Sequence, residues 1–183
     1  MKNFFTSVKG AALVLLVVVL LTVLAVAPAK LAARRGGIDR LFAAGDTGAG
    51  SIASDLAARA ECAGNLLIIA GRCGQGESSA AEALQAALSS AQREGMSRGE
   101  QYSADQALAA AEAALYEAAE GWALSETDRS LVEKQHTAFL SAGETMAHES
   151  YNEQAAAFNA GLLGFPASLY AAVFGIEPLE LFG

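Results

Sequence analysis

Hydrophobic residues follow two patterns along this chain, a continuous run near the start and a helical periodicity over much of the rest. The run extends from Gly10 to Ala29 and contains twenty residues without a charge. As a helix it is about 30 Å long, which matches the hydrocarbon core of a bilayer. The run therefore predicts a segment that contacts the lipid bilayer.

Two interpretations of this run are open. A permanent transmembrane helix is favoured by its length and by the basic residues that follow it at once. A cleaved signal peptide would use Lys2 and Lys9 as its basic start and Ala27-Pro28-Ala29 as its cleavage site. The run is longer than the apolar region of most signal peptides, so we predict a single-pass anchor.

From Ser51 onward, apolar residues recur at intervals of three and four, which predicts amphipathic helices. Four such stretches are separated by glycine-containing links, and they begin at Ser51, near Glu77, near Ser103 and near Ser125. The last is expected to continue unbroken to Leu163. No stretch alternates as a half-buried strand does. The sequence therefore predicts an all-α fold, in which an N-terminal transmembrane helix precedes an antiparallel four-helix bundle.

The same patterns divide the chain into three parts. Residues 1–30 are predicted to form the anchor with its basic flanks, residues 31–50 a connector and residues 51–183 the bundle. Gly36-Gly37 is expected to interrupt helix in the connector, because glycine weakens a helix interior. Phe165-Pro166 is expected to end the last bundle helix, since proline disfavours helix in the residue before it.

Charge is distributed unevenly along the chain. Residues 1–40 carry six basic side chains and one acidic, a balance of +5, whereas residues 41–183 carry six basic and nineteen acidic, a balance of −13. An acidic domain repels nucleic acid, so DNA and RNA are excluded as main partners. More basic residues follow the run than precede it, which predicts a cell-membrane protein with its bundle in the cytoplasm and its N-terminus outside.

The two cysteines, Cys62 and Cys73, define no disulfide framework. On one helix they would be about 16 Å apart along the axis, too far for a disulfide bond. We interpret them as small apolar packing residues.

Glu133 and His136 have the Glu-x-x-His spacing by which di-iron bundles place two ligands on one helix face. Such a site needs a second copy of the motif, but the other histidine, His148, has Thr145 at the position of the glutamate. A solvated charged face is the simpler interpretation. Neither a metal ion nor another cofactor is expected.

Asp46-Thr47-Gly48 matches the Asp-Thr-Gly signature of aspartic proteases. That chemistry needs two aspartates that share a proton, each on a loop between strands. A single copy in a glycine-rich link of a helical chain is interpreted as chance. A membrane-tethered hydrolase that uses Asp46 is kept as the alternative to a non-enzymatic protein.

An aromatic residue followed by asparagine occurs twice, seven residues apart, as Tyr151-Asn152 and Phe158-Asn159. Phe165-Pro166 comes next, and a closing apolar segment contains Phe174-Gly175. This order resembles the LemA family of membrane-anchored helical proteins, in which the second aromatic residue is also a tyrosine. The segment Asp55–Leu67 is similar to the family's first-helix pattern, and the layout of the whole chain agrees with the family.

The resemblance implies a bilayer-anchored helical bundle without a defined enzymatic activity. We therefore hypothesise a non-enzymatic interaction or scaffold module that binds an unidentified protein partner. In this hypothesis the protein can also form homo-oligomers. A helical protein secreted after cleavage at Ala29 is a further alternative. The structural or interaction residues of the motif are Tyr151, Asn152, Phe158, Asn159, Phe165 and Pro166. Six apolar residues are expected to close the end of the bundle, with docking on lipid or on another protein as the alternative: Leu162, Leu163, Phe165, Leu169, Tyr170 and Phe174.

Overall fold

The computed structural model describes residues 8–46 and 50–183, without the side chains at positions 8, 9 and 20–24. All regular secondary structure in this part of the chain is helical, which confirms the all-α prediction. Its helices are α1 (Val8–Ala44), α2 (Ile52–Arg72), α3 (Ser79–Ala91), α4 (Arg98–Ala119), α5 (Glu126–Ala147), α6 (Tyr151–Leu162) and α7 (Ala167–Phe174).

Helix α1 is 37 residues long and passes without a break through Pro28 and Gly36-Gly37. The prediction that these glycines interrupt helix is therefore wrong. Two glycines cost a helix about 2 kcal/mol relative to alanine. Ile38 and Phe42 lie beyond them and are fully buried, and each burial stabilises the fold by about 1.5–3 kcal/mol. The buried side chains thus outweigh the glycines and hold the helix to Ala44.

Within the described residues, no single helix meets both the length and the hydropathy required of a membrane span. The apolar part of α1 qualifies only as a shorter apolar helix, Gly10–Val19. The stretch Glu126–Leu162, which comprises α5 and α6, meets the requirement only together with α7, from which a bend of 93° separates it. The anchor over residues 10–29 stays a prediction.

Serine residues fix where four helices begin. Ser51, Ser78, Ser97 and Ser125 each accept a hydrogen bond from a backbone N–H in the first turn of the following helix. Such a cap contributes about 1 kcal/mol. The predicted start at Ser51 is confirmed. Helix α4 begins five residues before its predicted start because Ser97 and Glu100 form a reciprocal capping box.

The long helix predicted from Ser125 to Leu163 is two helices, so that prediction is wrong. Helix α5 ends at Ala147 and α6 begins at Tyr151. Ser150, in the break, accepts hydrogen bonds from the backbone N–H and the side-chain amide of Gln154. The backbone bond is the first one of α6, and serine favours such a helix start over a helix interior.

The chain forms two compact units. The first contains the described residues up to Asp39 together with Ala155–Leu179, and the second contains Arg40–Gln154 with Glu180–Gly183. The second unit holds the main hydrophobic core, in which α2 packs on α5 and α3 packs on α4. Cys62 is buried in this core, Cys73 is partly exposed, and both are free thiols, as their spacing predicts.

Candidate functional site

A buried ion pair lies in the core of the second unit. Nη1 of Arg59 on α2 is 3.0 Å from Oδ2 of Asp105 on α4, and the two side chains are 7% and 1% exposed. Charges at this depth lose most of their hydration, so each depends on the other for compensation.

Helix α5 encloses the other sides of Arg59. The guanidinium carbon lies 4.2 Å from the centre of the Phe139 ring, a cation–π geometry. A Cβ atom added at Gly143 would come within 3.0 Å of Nη1. The glycine therefore leaves the space that the guanidinium group fills.

A second charged contact lies one heptad further along α4. Oε1 of Glu112 accepts a hydrogen bond from Nδ1 of His136 at 2.9 Å, and the Glu112 side chain is 1% exposed. The His136 ring stacks on Tyr116, with ring centres 3.7 Å apart. His136 is partly exposed, so it connects the buried Glu112 carboxylate to the surface.

Burial determines the protonation tendency of this cluster. It raises the pKa of Asp105 above its ordinary value, and the charge of Arg59 offsets part of the rise. It also raises the pKa of Glu112, against the hydrogen bond and charge of His136 and the charge of Arg59. The pKa of Arg59 is lowered by burial, against Asp105 and Glu112. All three groups therefore shift toward their neutral forms.

A cavity of about 470 Å³ lies beside Asp105. Side chains of α2 and α4 line it, together with residues 91–96, and most of them are alanine, leucine or methionine. Among the described residues, Oδ1 of Asp105 has no hydrogen-bond partner, whereas Oδ2 is paired with Nη1 of Arg59. The cavity can therefore accept a hydrogen-bond donor that is carried by an apolar ligand or protein segment.

The motif asparagine Asn152 holds the C-terminal segment in the second unit. Its side-chain amide donates to the carbonyl oxygen of Phe182 at 2.6 Å and accepts from the backbone N–H of the same residue at 2.9 Å. The hydroxyl group of Tyr151 donates to the carbonyl oxygen of Glu180 at 2.6 Å. Both residues of the first motif pair therefore bind backbone atoms.

Asn159, in the first unit, makes the same two hydrogen bonds with Leu179, both at 2.8 Å. Residues 176–183, which contain the partners of both asparagines, have no regular secondary structure of their own. Each amide satisfies the N–H and C=O of one residue, as a neighbouring strand would.

The other motif residues have different environments. Phe158 is buried and has no hydroxyl group to donate. Phe165 and Pro166 are joined by a cis peptide bond between α6 and α7, and Phe165 is largely exposed. The motif thus binds the chain's own C-terminal segment through Tyr151, Asn152 and Asn159.

Of the six apolar residues expected to close the end of the bundle, Leu162 and Tyr170 are buried. The prediction is wrong for the others, since exposed side chains are found at Leu163, Phe165, Leu169 and Phe174. Leu163 and Phe165 lie in the turn between α6 and α7, and α7 itself has only eight residues and buries only Tyr170.

The structure places Glu133 and His136, the two members of the metal pattern, in different environments. Glu133 is exposed, whereas His136 turns inward to Glu112, so a solvated face describes only the glutamate. Asp46 is exposed. Burial raises the pKa of Glu149, and the negative charges of Asp55 and Asp46 add to the rise. Thr47 and Gly48, the rest of that motif, lie outside the described residues. No group of three metal-ligating side chains occurs in the part of the chain that is described.

Sequence reasoning missed Asp105 and Glu112 as site residues, although a usable signal exists. Both fall within the stripe that Leu108, Leu115 and Ala119 form at intervals of three and four. A charge inside an apolar stripe predicts a buried and paired group. The partner on another helix cannot be read from this pattern.

Comparisons with protein-family models, with curated proteins and with solved structures find no match. The resemblance to the LemA family stays a prediction.

Proposed function

We propose that this chain is a membrane-tethered helical bundle of the LemA type that acts as a non-enzymatic interaction or scaffold module. The proposal is carried by the apolar surface of α1 between Leu13 and Val19. All seven of these valine and leucine side chains are at least 41% exposed. A contiguous apolar surface of this kind is unfavourable in water and favourable in lipid.

Basic residues support a bilayer position for this surface. Lys30 and Arg34 follow on the same helix and are exposed. Basic side chains beyond an apolar helix bind anionic headgroups and favour a cytoplasmic location. Residues 41–183, with their balance of −13, stay in water in this arrangement. The topology that we propose is therefore single-pass, with the bundle in the cytoplasm.

The cavity beside Asp105 supports the interaction role. Its walls are mostly apolar, and the buried carboxylate offers Oδ1, the oxygen that is not paired with Arg59, to a donor on a partner. We expect the unidentified protein partner to insert an apolar segment that carries a basic or amide group.

Flotation with lipid vesicles tests the tether. A variant with Leu15→Arg and Val17→Arg should fall to background binding, because an arginine at the centre of a membrane helix costs about 2.5–3.5 kcal/mol. The control variant carries Ile68→Arg and Leu140→Arg, at two exposed apolar positions of the second unit. It should float like the wild type. Flotation of the first variant at the wild-type level would contradict the tether.

Two measurements separate the alternatives. Asp46→Asn leaves a scaffold unchanged but abolishes the activity of a hydrolase that uses this aspartate. The mass of the mature protein distinguishes a retained segment from cleavage after Ala29. Cleavage would release the bundle from the membrane and contradict the proposal.

A further inference from the structure

Five large apolar side chains are exposed in the first unit, two in the turn between α6 and α7 and three on α7 itself. We call them the apolar corner: Leu163, Phe165, Leu169, Val173 and Phe174. Their exposed fractions range from 48% to 86%. Apolar side chains concentrated in this way mark a surface that meets lipid or another protein.

Charged residues are absent from this part of the sequence. None occurs between Glu153 and Glu177, and the first and last turns of α7 contain no acidic or basic side chain. Surfaces that face water normally carry charged side chains, which keep the protein soluble. The corner lacks such charges, and its phenylalanine, leucine and valine side chains can enter the boundary between headgroups and acyl chains.

A hydrogen bond connects this segment to the part of α1 just beyond the apolar run. Nε of Arg35 donates to the backbone carbonyl oxygen of Glu177 at 2.8 Å, and Glu177 follows α7 closely along the chain. Arg35 lies about 9 Å along the helix from Ala29. If residues 10–29 fill the hydrocarbon core, that distance corresponds to the headgroup region.

We propose that the apolar corner inserts into the same bilayer as α1 and forms a second membrane contact. This inference rests on the proposed tether. The corner is uncharged, the Arg35 bond ties its chain segment to headgroup depth, and Lys30 and Arg34 supply positive charge on the same turns of α1. Apolar side chains held at this depth reach the boundary between the headgroups and the acyl chains.

A bilayer accounts for these observations better than a second copy of the chain. A contact between the uncharged corners of two copies would not use the positive charge of Lys30 and Arg34. Anionic headgroups complement that charge directly. Occupation by a second copy is therefore an outcome that the test must be able to detect.

Fluorescence quenching in proteoliposomes tests this contact with the full chain. The single tryptophan, Trp122, is first changed to phenylalanine. Phe165→Trp or Val173→Trp then places one reporter on the corner, and Leu140→Trp, at an exposed apolar position of the second unit, is the matched control. With brominated acyl chains, we expect both corner reporters to be quenched at least about threefold more than the control, with emission shifted to the blue.

The outcomes separate this inference from the tether. Corner quenching at the control level, with protein that still floats with vesicles, would overturn the corner contact and leave the tether intact. Loss of flotation would contradict the tether and the corner contact together. A blue shift that grows with protein density but is insensitive to bromine would show that a second copy covers the corner, and would overturn the inference.

Discussion

At the scale of residues, Arg59 is fixed by neighbours on two other helices. Asp105 on α4 lies 3.0 Å from its guanidinium group, and Phe139 and Gly143 on α5 shape the space around it. Burial lowers the pKa of Arg59 and raises that of Asp105, in each case against the charge of the partner, and the desolvation of a buried ion pair can cost more than its attraction contributes. We infer that the pair specifies which helix faces meet more than it adds stability.

Arg59→Leu leaves Asp105 buried without its counter-ion, and we expect the free energy of unfolding to fall by about 3–5 kcal/mol. Arg59→Leu combined with Asp105→Leu removes both charges and should recover most of that loss. Urea unfolding of the wild type, both single variants and the double variant measures the coupling. Strict additivity of the two single effects would contradict the pairing.

At the scale of elements, local sequence signals predict helices where those signals are complete. The periodicity and the serine cap predict the start of α2 correctly, and the capping box explains the earlier start of α4. Two outcomes depend on distant contacts instead. Helix α1 continues through Gly36-Gly37 because side chains beyond the glycines are buried. Exposure of the apolar corner depends on how little of α7 is covered, which no local pattern reveals.

Two asparagine side chains bind the backbone of the C-terminal segment, which has no regular secondary structure of its own. Asn152→Ala or Asn159→Ala leaves one N–H and one C=O without a partner, at a cost of about 1–3 kcal/mol. We expect the backbone amide of Phe182 or Leu179, respectively, to exchange hydrogen at least about tenfold faster. Gln154→Ala is the control, because that side chain bonds to Ser150 in the preceding turn.

Hydrogen-exchange mass spectrometry of the full chain makes this measurement. Unchanged exchange at residues 179 and 182 in both asparagine variants would contradict the role of the motif in holding the segment. The sequence predicts the asparagines as a motif, but it does not predict their partner. The C-terminal segment shows neither helical nor alternating periodicity, so its sequence gives no structural signal.

At the scale of the whole molecule, charge is segregated along the chain. Residues 1–40 have a balance of +5 and residues 41–183 a balance of −13. This asymmetry follows from composition alone and needs no structure. The proposed orientation depends on a narrow excess of basic residues after the apolar run, so it should be sensitive to small changes there.

Lys30→Gln with Arg34→Gln removes this excess, and we expect a fraction of the molecules to insert with the bundle outside. Cys73 is partly exposed and reports its location by reaction with a membrane-impermeant maleimide. Wild-type Cys73 should react only after cells are opened, and the variant should react partly in intact cells. Arg93→Gln with Arg129→Gln is the control of equal charge. Labelling of the wild type in intact cells would contradict the orientation.

The bond between Asn152 and Phe182 imposes an order in time on the newly made chain. The Phe182 ring packs edge-on against Phe42 and Tyr102, which are synthesised much earlier. At about 5–20 residues per second, the 30 residues from Asn152 to Phe182 take about 1.5–6 s to make. During that interval, the nascent chain presents aromatic rings without their final cover. It is then a substrate for chaperones, and a stop codon upstream of residue 182 would make this exposure permanent.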